Sequence, residues 1–333
     1  MNKKLVWRSV VLAVLLAIAV YFIVASRAPS TSNAAEGAAA ASHQVIDSAG
    51  RKVNVPLKPL RVLALGEFDL DALLSLGLRP VGATNGRGQA GVPNYLQTKA
   101  KNITSVGAFA QPNMDKIIAA QPDLIVTSVI RDPQIIAQLE RIAPVLITTQ
   151  AGADWKTAFN QMAALLGKNA QAQHFLAQYQ TRVAQLRTQI KPAQTISIVR
   201  WDPKGPGFML KDAFASLVVQ DLGLTRPAGQ MQPGANHSKP LSLEALTEID
   251  ADWLFIGTLS PEGDAAATLK TVQTAPAFRN LHVVKNQQVR IIDGSLWTST
   301  GGPLAALAVL DDVEKNLRTV QIAQVTQTAN SAQ

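Results

Sequence analysis

The chain has 333 residues, 47% hydrophobic and 16% charged, a balance that excludes wholesale disorder and gives room for about two domains. Its formal charge of +8 falls to +5 without the first 41 residues, and the basic residues are scattered, which argues against nucleic-acid binding. There is no cysteine, so neither disulfides nor thiolate metal sites are available.

Lys3, Lys4 and Arg8 precede an uncharged run from Ser9 to Ser26. That is the charged and apolar pattern of a secretory signal, and it is also just long enough to remain as a membrane anchor. In either case the rest of the chain is exported. Lacking a cysteine to carry a lipid, it is expected in the periplasm of a two-membrane bacterium. Residues 1–43 therefore read as a signal or anchor plus a flexible Ala/Ser-rich leader.

A first α/β lobe is expected over 44–168. Arg61–Leu65 and Pro80–Thr84 read as strands, with a helix over Asp69–Leu76 between them and a glycine-rich loop, Asn85–Gly91, after the second. Pro112 suits the first turn of a helix, where a missing N–H costs nothing. Asp123–Thr127 and Val145–Thr149 are further strands, separated by a helix near Pro133–Ile142. Trp155, Phe159, Met162 and Leu166 recur at helical spacing. From Asn169, a plausible N-cap, a longer pattern runs to the break at Pro192, so that 169–191 forms a rigid inter-lobe helix. A second lobe over 192–322 opens with strand Thr195–Trp201 and a helix near Ala213–Leu222. His282–Asp293 reads as a strand pair turning at Lys285–Gln288, and a final helix runs from about Pro303 to Leu317, before a tail at 323–333. The fold class is α/β: two lobes with mainly parallel sheets flanked by helices, joined by one long helix.

Chemistry-bearing motifs are few. Gly86-Arg87-Gly88-Gln89-Ala90-Gly91 fits G-x-G-x-x-G, but Pro93 follows where a helix should open, and no acid stands at a strand end some twenty residues on to hold a ribose. It reads instead as a loop at a strand's carboxyl end, with Arg87 facing a cleft or lying on the plain surface. His43, His174, His237 and His282 show no metal-ligand spacing. No G-x-S-x-G elbow or serine-histidine-acid set appears, so no enzyme is expected and no catalytic residue or resident cofactor is assigned. Arg200 and Trp201 end the first strand of the second lobe, Trp297 precedes Gly301-Gly302, and Phe109 follows Gly107. Arginine can pair with oxyanions and aromatic rings can wall an apolar site. The plainer alternatives are a core Trp297 and a surface ion pair at Arg200.

One phrase occurs twice. Met114-Asp115-Lys116-Ile117 leads to Asp123-Leu124-Ile125-Val126, and Leu243-Glu244-Ala245-Leu246 leads over the same interval to Asp252-Trp253-Leu254-Phe255. Each copy places an acid in a short helical pattern and an aspartate before a buried strand. This either marks two lobes built on one plan or is a coincidence of α/β architecture.

Several segments stand in one order: Arg61–Leu65 with Asp71–Gly77 and Pro80-Val81-Gly82; Val106-Gly107 with Pro112–Asp115; Pro122–Ile125; Arg141–Pro144; Leu241–Glu244; Phe278–Leu281; and Trp297 with Gly301–Ala306. In these the chain resembles, over nearly all of 44–320, the periplasmic substrate-binding proteins of ABC importers for ferric siderophores, a group with cobalamin-binding relatives. The resemblance implies a monomer that holds a ferric siderophore of hydroxamate or citrate type in the inter-lobe cleft, the iron ligated by the siderophore and by no protein metal site. It further implies Arg87, Arg200, Trp201, Trp297 and Phe109 as ligand contacts. Asp115 and Glu244 become docking acids for an ABC permease dimer in the inner membrane. Aspartate at 115 departs from the family's usual glutamate, and the arginine often found near Phe109-Ala110 is missing. The same scaffold binding cobalamin or haem, or an anchored ligand sensor, is the alternative.

Overall fold

Short β-branched runs that end at glycines or capping residues set the order of the elements. The computed structural model describes residues 41–150, 152–191 and 194–330, with side chains through Leu317; the expected export segment lies outside these residues. The first half contains β1 (Ser42–Ile46), β2 (Lys52–Pro56), β3 (Val62–Ala64), α1 (Glu67–Ser75), β4 (Gly82–Ala83), β5 (Thr104–Ser105), β6 (Gly107–Ala108), β7 (Gln111–Pro112), α2 (Met114–Ala119), β8 (Leu124–Thr127), α3 (Pro133–Glu140), β9 (Val145–Ile147) and α4 (Trp155–Leu165). After α5 (Asn169–Arg187) come β10 (Ile196–Asp202), β11 (Gly205–Phe208), α6 (Phe214–Asp221), β12 (Trp253–Gly257), α7 (Asp264–Val272), α8 (Pro276–Arg279), α9 (His282–Lys285), β13 (Val289–Ile291), α10 (Gly294–Thr298) and α11 (Pro303–Asn330).

The two main sheets run β5-β4-β3-β8-β9 and β11-β10-β12-β13. All pairings are parallel except the β11 edge, so the fold is α/β with two lobes as expected. Parallel strands need cover on both faces, and alternate residues supply it. On and just after β3, Val62 and Ala64 join a central core while Leu63 and Leu65 join an outer one. On β10, Ile196 and Ile198 face that same central core and Val199 and Trp201 a separate outer one. The central core is shared by both halves. It is filled by α1, α4, α5 and α11, and α5 gives it Phe175, Tyr179, Val183 and Leu186 at helical spacing. Nineteen residues make α5 roughly 28 Å long, enough to run the depth of the domain.

The repeated phrase has a structural meaning. Asp123, just before β8, accepts the backbone N–H groups of Leu60 and Arg61 at the start of the neighbouring β3. Asp252, before β12, accepts the N–H of Thr195, which immediately precedes β10. Each aspartate pins the register of the central parallel pair in its own sheet. The repeated acids Asp115 and Glu244 lie in the first turns of α2 and of a 3-10 helix, Leu243–Ile249.

Four expectations need correction. The strand pair over His282–Asp293 is instead the helical turn α9 followed by β13, because the Asp250 carboxylate accepts the N–H groups of His282 and Val283 and caps a turn there. Pro112 lies in β7, ahead of the cap Asn113, whose side chain accepts from the Lys116 N–H. Asn169 is the first residue of α5, with Lys168 at the cap position and the helix ending at Arg187. The last helix continues to Asn330, past its expected end at Leu317.

Three acids on α1, Glu67, Asp69 and Asp71, are all buried. Asp71 reaches the second half of the chain and accepts the N–H groups of Leu304 (2.7 Å) and Ala305 (2.9 Å). These are the first free donors of α11, since Pro303 at its start has none. Tyr95 and Ser75 hydroxyls complete the set. Gly302 is required, because a Cβ there would sit 2.5 Å from the Asp71 carboxyl carbon. Burial raises the Asp71 pKa to about 6 despite these four donors. A carboxyl whose folded pKa exceeds its unfolded value stabilises the fold fully below about pH 4, and this contribution is lost as pH rises to about 6. Asp71→Asn, which sets an amide against one of the two N–H donors, should cost about 1–3 kcal/mol at pH 7. Its deficit relative to wild type should widen toward pH 4 by up to about 3 kcal/mol, at about 1.36 kcal/mol per pH unit. Denaturant melts at both pH values test this, and a deficit independent of pH would contradict it.

Candidate functional site: an arginine-lined cleft between the lobes

A parallel strand presents its carboxyl end to whatever loop follows. Neighbouring strands whose chains leave in opposite directions open a crevice there. In the first sheet that point lies between β3 and β8, with β4 on one side and β9 on the other. The loops beyond it border a cavity of about 380 Å³ whose opposite wall comes from the second half, including Arg200, Phe214 and Thr298 to Thr300.

Arg87 lines this cavity from the glycine-rich loop. The loop closes on itself through Gly86 N–H to Gly91 C=O (2.8 Å) and crosses to the other half. Gln89 Nε2 donates to Ser295 Oγ, and Gly88, at φ +71°, passes so close to Leu259 that a Cβ would lie 2.9 Å from its carbonyl oxygen. No helix opens at Gly91; a three-residue 3-10 turn, Asn94–Leu96, follows instead. The Arg87 guanidinium stands 4.5 Å over the Phe109 ring. Phe109 is half-buried and orients that arginine without lining the cavity itself.

Beneath Arg87 lies Glu67. It accepts the Arg87 backbone N–H on one oxygen and the hydroxyls of Ser299 and Thr300 on the other. One carboxylate thus joins wall residues of both halves. Burial raises its pKa, opposed by these hydrogen bonds and by the Arg87 charge. Asp69, also raised by burial, accepts from Ser128 N–H (2.7 Å), Ser128 Oγ and Thr148 Oγ1. It fixes the loop that carries Arg131, whose Nη2 donates to the carbonyls of Ser128 and Thr149.

Arg200 enters from the second half and is only 6% exposed. Its Nη1 reaches the Thr298 carbonyl at 3.4 Å, Asp202 approaches Nε at 3.5 Å, and that Nε has no hydrogen-bond partner. Burial lowers its pKa; Asp202 offsets this, and the like charge of Arg87 adds to it. A buried cation on a cavity wall, only loosely neutralised by Asp202, is suited to an anion.

The two expected tryptophans are elsewhere. Trp201 follows Arg200 on the same strand, so its side chain points to the opposite face, into the outer core at 2% exposure. Trp297 is wholly buried, packs at 4.8 Å on Phe255, and donates Nε1 to Asp312 at 2.9 Å. Its place is the central core behind the cleft. The indole on the wall is Trp155, at the start of α4, joined by Phe68 and Phe214. Sequence reasoning treated Trp155 as a helix core position and passed over Arg131, although Arg131 follows a strand's carboxyl end, where ligand loops gather. Asp115 and Glu244 are both exposed, and the Ser242 hydroxyl holds the Glu244 carboxyl below its ordinary range. Among the described residues no three His, Asp or Glu side chains group to hold a metal ion.

With this geometry established, comparison with known proteins identifies its kind. The model of a periplasmic binding protein family matches residues 64–296. The chain is 28% identical over 309 residues to the "Probable siderophore-binding lipoprotein YfiY" of Bacillus subtilis, covering 89% of this chain and 94% of the relative. It is 26% identical to the Fe(3+) dicitrate-binding periplasmic protein FecB of Escherichia coli, covering 77% and 84%. The crystal structure of Staphylococcus aureus SirA complexed with staphyloferrin B matches with a TM-score of 0.71 at 27% identity, covering 83% of this chain and 98% of that one.

Glu67→Ala leaves the Arg87 N–H without its acceptor, an imbalance worth about 1–3 kcal/mol. Amide exchange across residues 86–91 should therefore speed up by about tenfold or more. Glu67→Gln keeps an acceptor and should exchange nearly as wild type. Equal exchange in the alanine variant would remove Glu67 from this role.

Proposed function

The chain belongs to the periplasmic binding protein family, and we propose that it captures a ferric siderophore in the cleft between its lobes, outside the cytoplasm, and delivers it to an ABC permease. The observation that carries this reading is the approach of two guanidinium groups, Arg87 and Arg200, from opposite halves onto one cavity with an indole and phenyl wall. Oxyanions of the chelate pair with the arginines, its carbon framework packs on Trp155 and Phe68, and the iron stays with the siderophore. The proteins it resembles are named for such cargo. Binding alone accounts for the geometry, and no step of bond making or breaking is assigned to the protein.

Haem as cargo is not favoured. Tyr95 and Tyr179, the tyrosines after the export segment, have their hydroxyls bonded to Asp71 and Asp221 and do not line the cavity.

Delivery needs contact with the membrane partner, for which Asp115 and Glu244 are the proposed handles. Both are solvent-exposed carboxylates in first turns that precede the central strand of their own lobe. Arginines on a permease would pair with them.

Two results are expected. In tryptophan-fluorescence titrations with a ferric siderophore, Arg87→Ala with Arg200→Ala should weaken binding by about a hundredfold, because removing one side of a desolvated charge pair costs about 2–5 kcal/mol. Unchanged affinity would refute their role. Asp115→Ala with Glu244→Ala should leave the affinity intact and shift stability by no more than about 0.5 kcal/mol, yet abolish cellular uptake of the ferric complex. Normal uptake by that variant would remove both residues from docking.

A further inference from the structure

The cavity wall carries a third guanidinium, Arg131, on the loop after β8. Arg87, Arg131 and Arg200 come from three separate loops or strand ends; the buried carboxylates of Glu67 and Asp69 act on Arg87 and Arg131 from behind the wall, where N–H and O–H donors occupy them. Among the described residues neither Arg87 nor Arg131 forms an ion pair, and Asp202 stands 3.5 Å from Arg200. Two acids also border the cavity, Asp154 and Asp212, but both are engaged locally. Asp154 accepts the N–H groups of Lys156 and Thr157 and the Thr157 hydroxyl, and Asp212 accepts the Gly234 N–H.

This arrangement discriminates among iron chelates by charge. Three hydroxamates neutralise Fe(III), giving a complex with no net charge. Closing the cleft on it would strip water from Arg87 and Arg131 and leave the already buried Arg200 with no added ionic partner, a cost of several kcal/mol. A tris-catecholate is anionic, but its oxygens lie on the metal and it is clad in aromatic rings. A chelator that binds iron through carboxylate and α-hydroxyl oxygens is compact and turns uncoordinated carboxylate oxygens outward. Those oxygens match the planar, two-pronged donor geometry of arginine.

We infer that the cleft selects ferric complexes of compact polycarboxylate chelators over hydroxamate and catecholate ones, with Arg131 as a specificity-determining residue beside Arg87 and Arg200. The inference rests on the capture reading above and narrows it.

The test is quenching of the protein's tryptophan fluorescence, with Trp155 in the wall as reporter, by ferric citrate, ferrichrome and a ferric tris-catecholate. Ferric citrate should bind at least tenfold tighter than the other two, and more weakly as salt rises. Arg131→Ala should cost ferric citrate about tenfold or more, as expected for lost hydrogen bonds to a charged group, and should narrow the gap to ferrichrome. Arg131→Lys, which keeps the charge and loses the fork, should fall between. Arg131 is exposed, so its variants should fold, and matched melting curves check this. Tighter binding of ferrichrome or the tris-catecholate, or an Arg131→Ala variant equal to wild type, overturns the selectivity while capture stands. Quenching by none of the three complexes ends the capture reading and the selectivity with it.

Discussion

The carboxylate of Asp71 lies where the first turn of α11 would otherwise present unpaired N–H groups to a dry interior. It belongs to α1 in the first half of the chain, and the turn it completes belongs to the second. The rest of the architecture depends on this crossing. The central core is not two cores pressed together: α1, α4, α5 and α11 are packed into one apolar mass between the two sheets. The described residues from Ser42 onward accordingly form one compact unit. A protein joined in this way flexes at its cleft by bending around α5 and the shared core.

Glu67 repeats the device one turn of helix earlier, at the edge of the site. Here the crossing carboxylate is tied to groups that also line the cavity, Arg87 through its backbone and Ser299 and Thr300 through their hydroxyls. Buried acids beneath an arginine-lined cavity look contrary at first sight. Their charge is taken up by N–H and O–H donors that need fixing in place, and what they fix are the arginines. The guanidinium groups, held through main chain and loop carbonyls, keep their remaining side-chain donors uncommitted.

Much of the fold was legible because parallel strands with both faces buried read as uninterrupted apolar runs, and because helical spacing exposes α4 and α5. The cavity lining was legible in two of its charges and not in its rings. An arginine at a strand's carboxyl end has few reasons to be there, so Arg87 and Arg200 stood out. Tryptophan serves core and wall equally well, and only position decides. Trp201 follows Arg200, and the two-residue period of a strand sends it to the other face. Trp297 is enclosed by Phe255 and Asp312. Trp155 faces the cavity because α4 begins just after the loop that follows β9. The region from His282 misled because Val283-Val284 has strand-like composition, while the carboxylate that turns it into a helix, Asp250, lies thirty-two residues earlier.

The loop from Gly86 to Gly91 belongs to the first half by sequence yet is fastened to Leu259 and Ser295 in the second. Any widening of the gap must pull on this strap, and Arg87 travels with it. Separation of the lobes therefore does more than unblock an exit: it pulls apart the arginine-bearing walls of the cleft in the same movement. A transporter that pries the halves apart would lower its passenger's affinity mechanically, with no competing ligand needed to dislodge it.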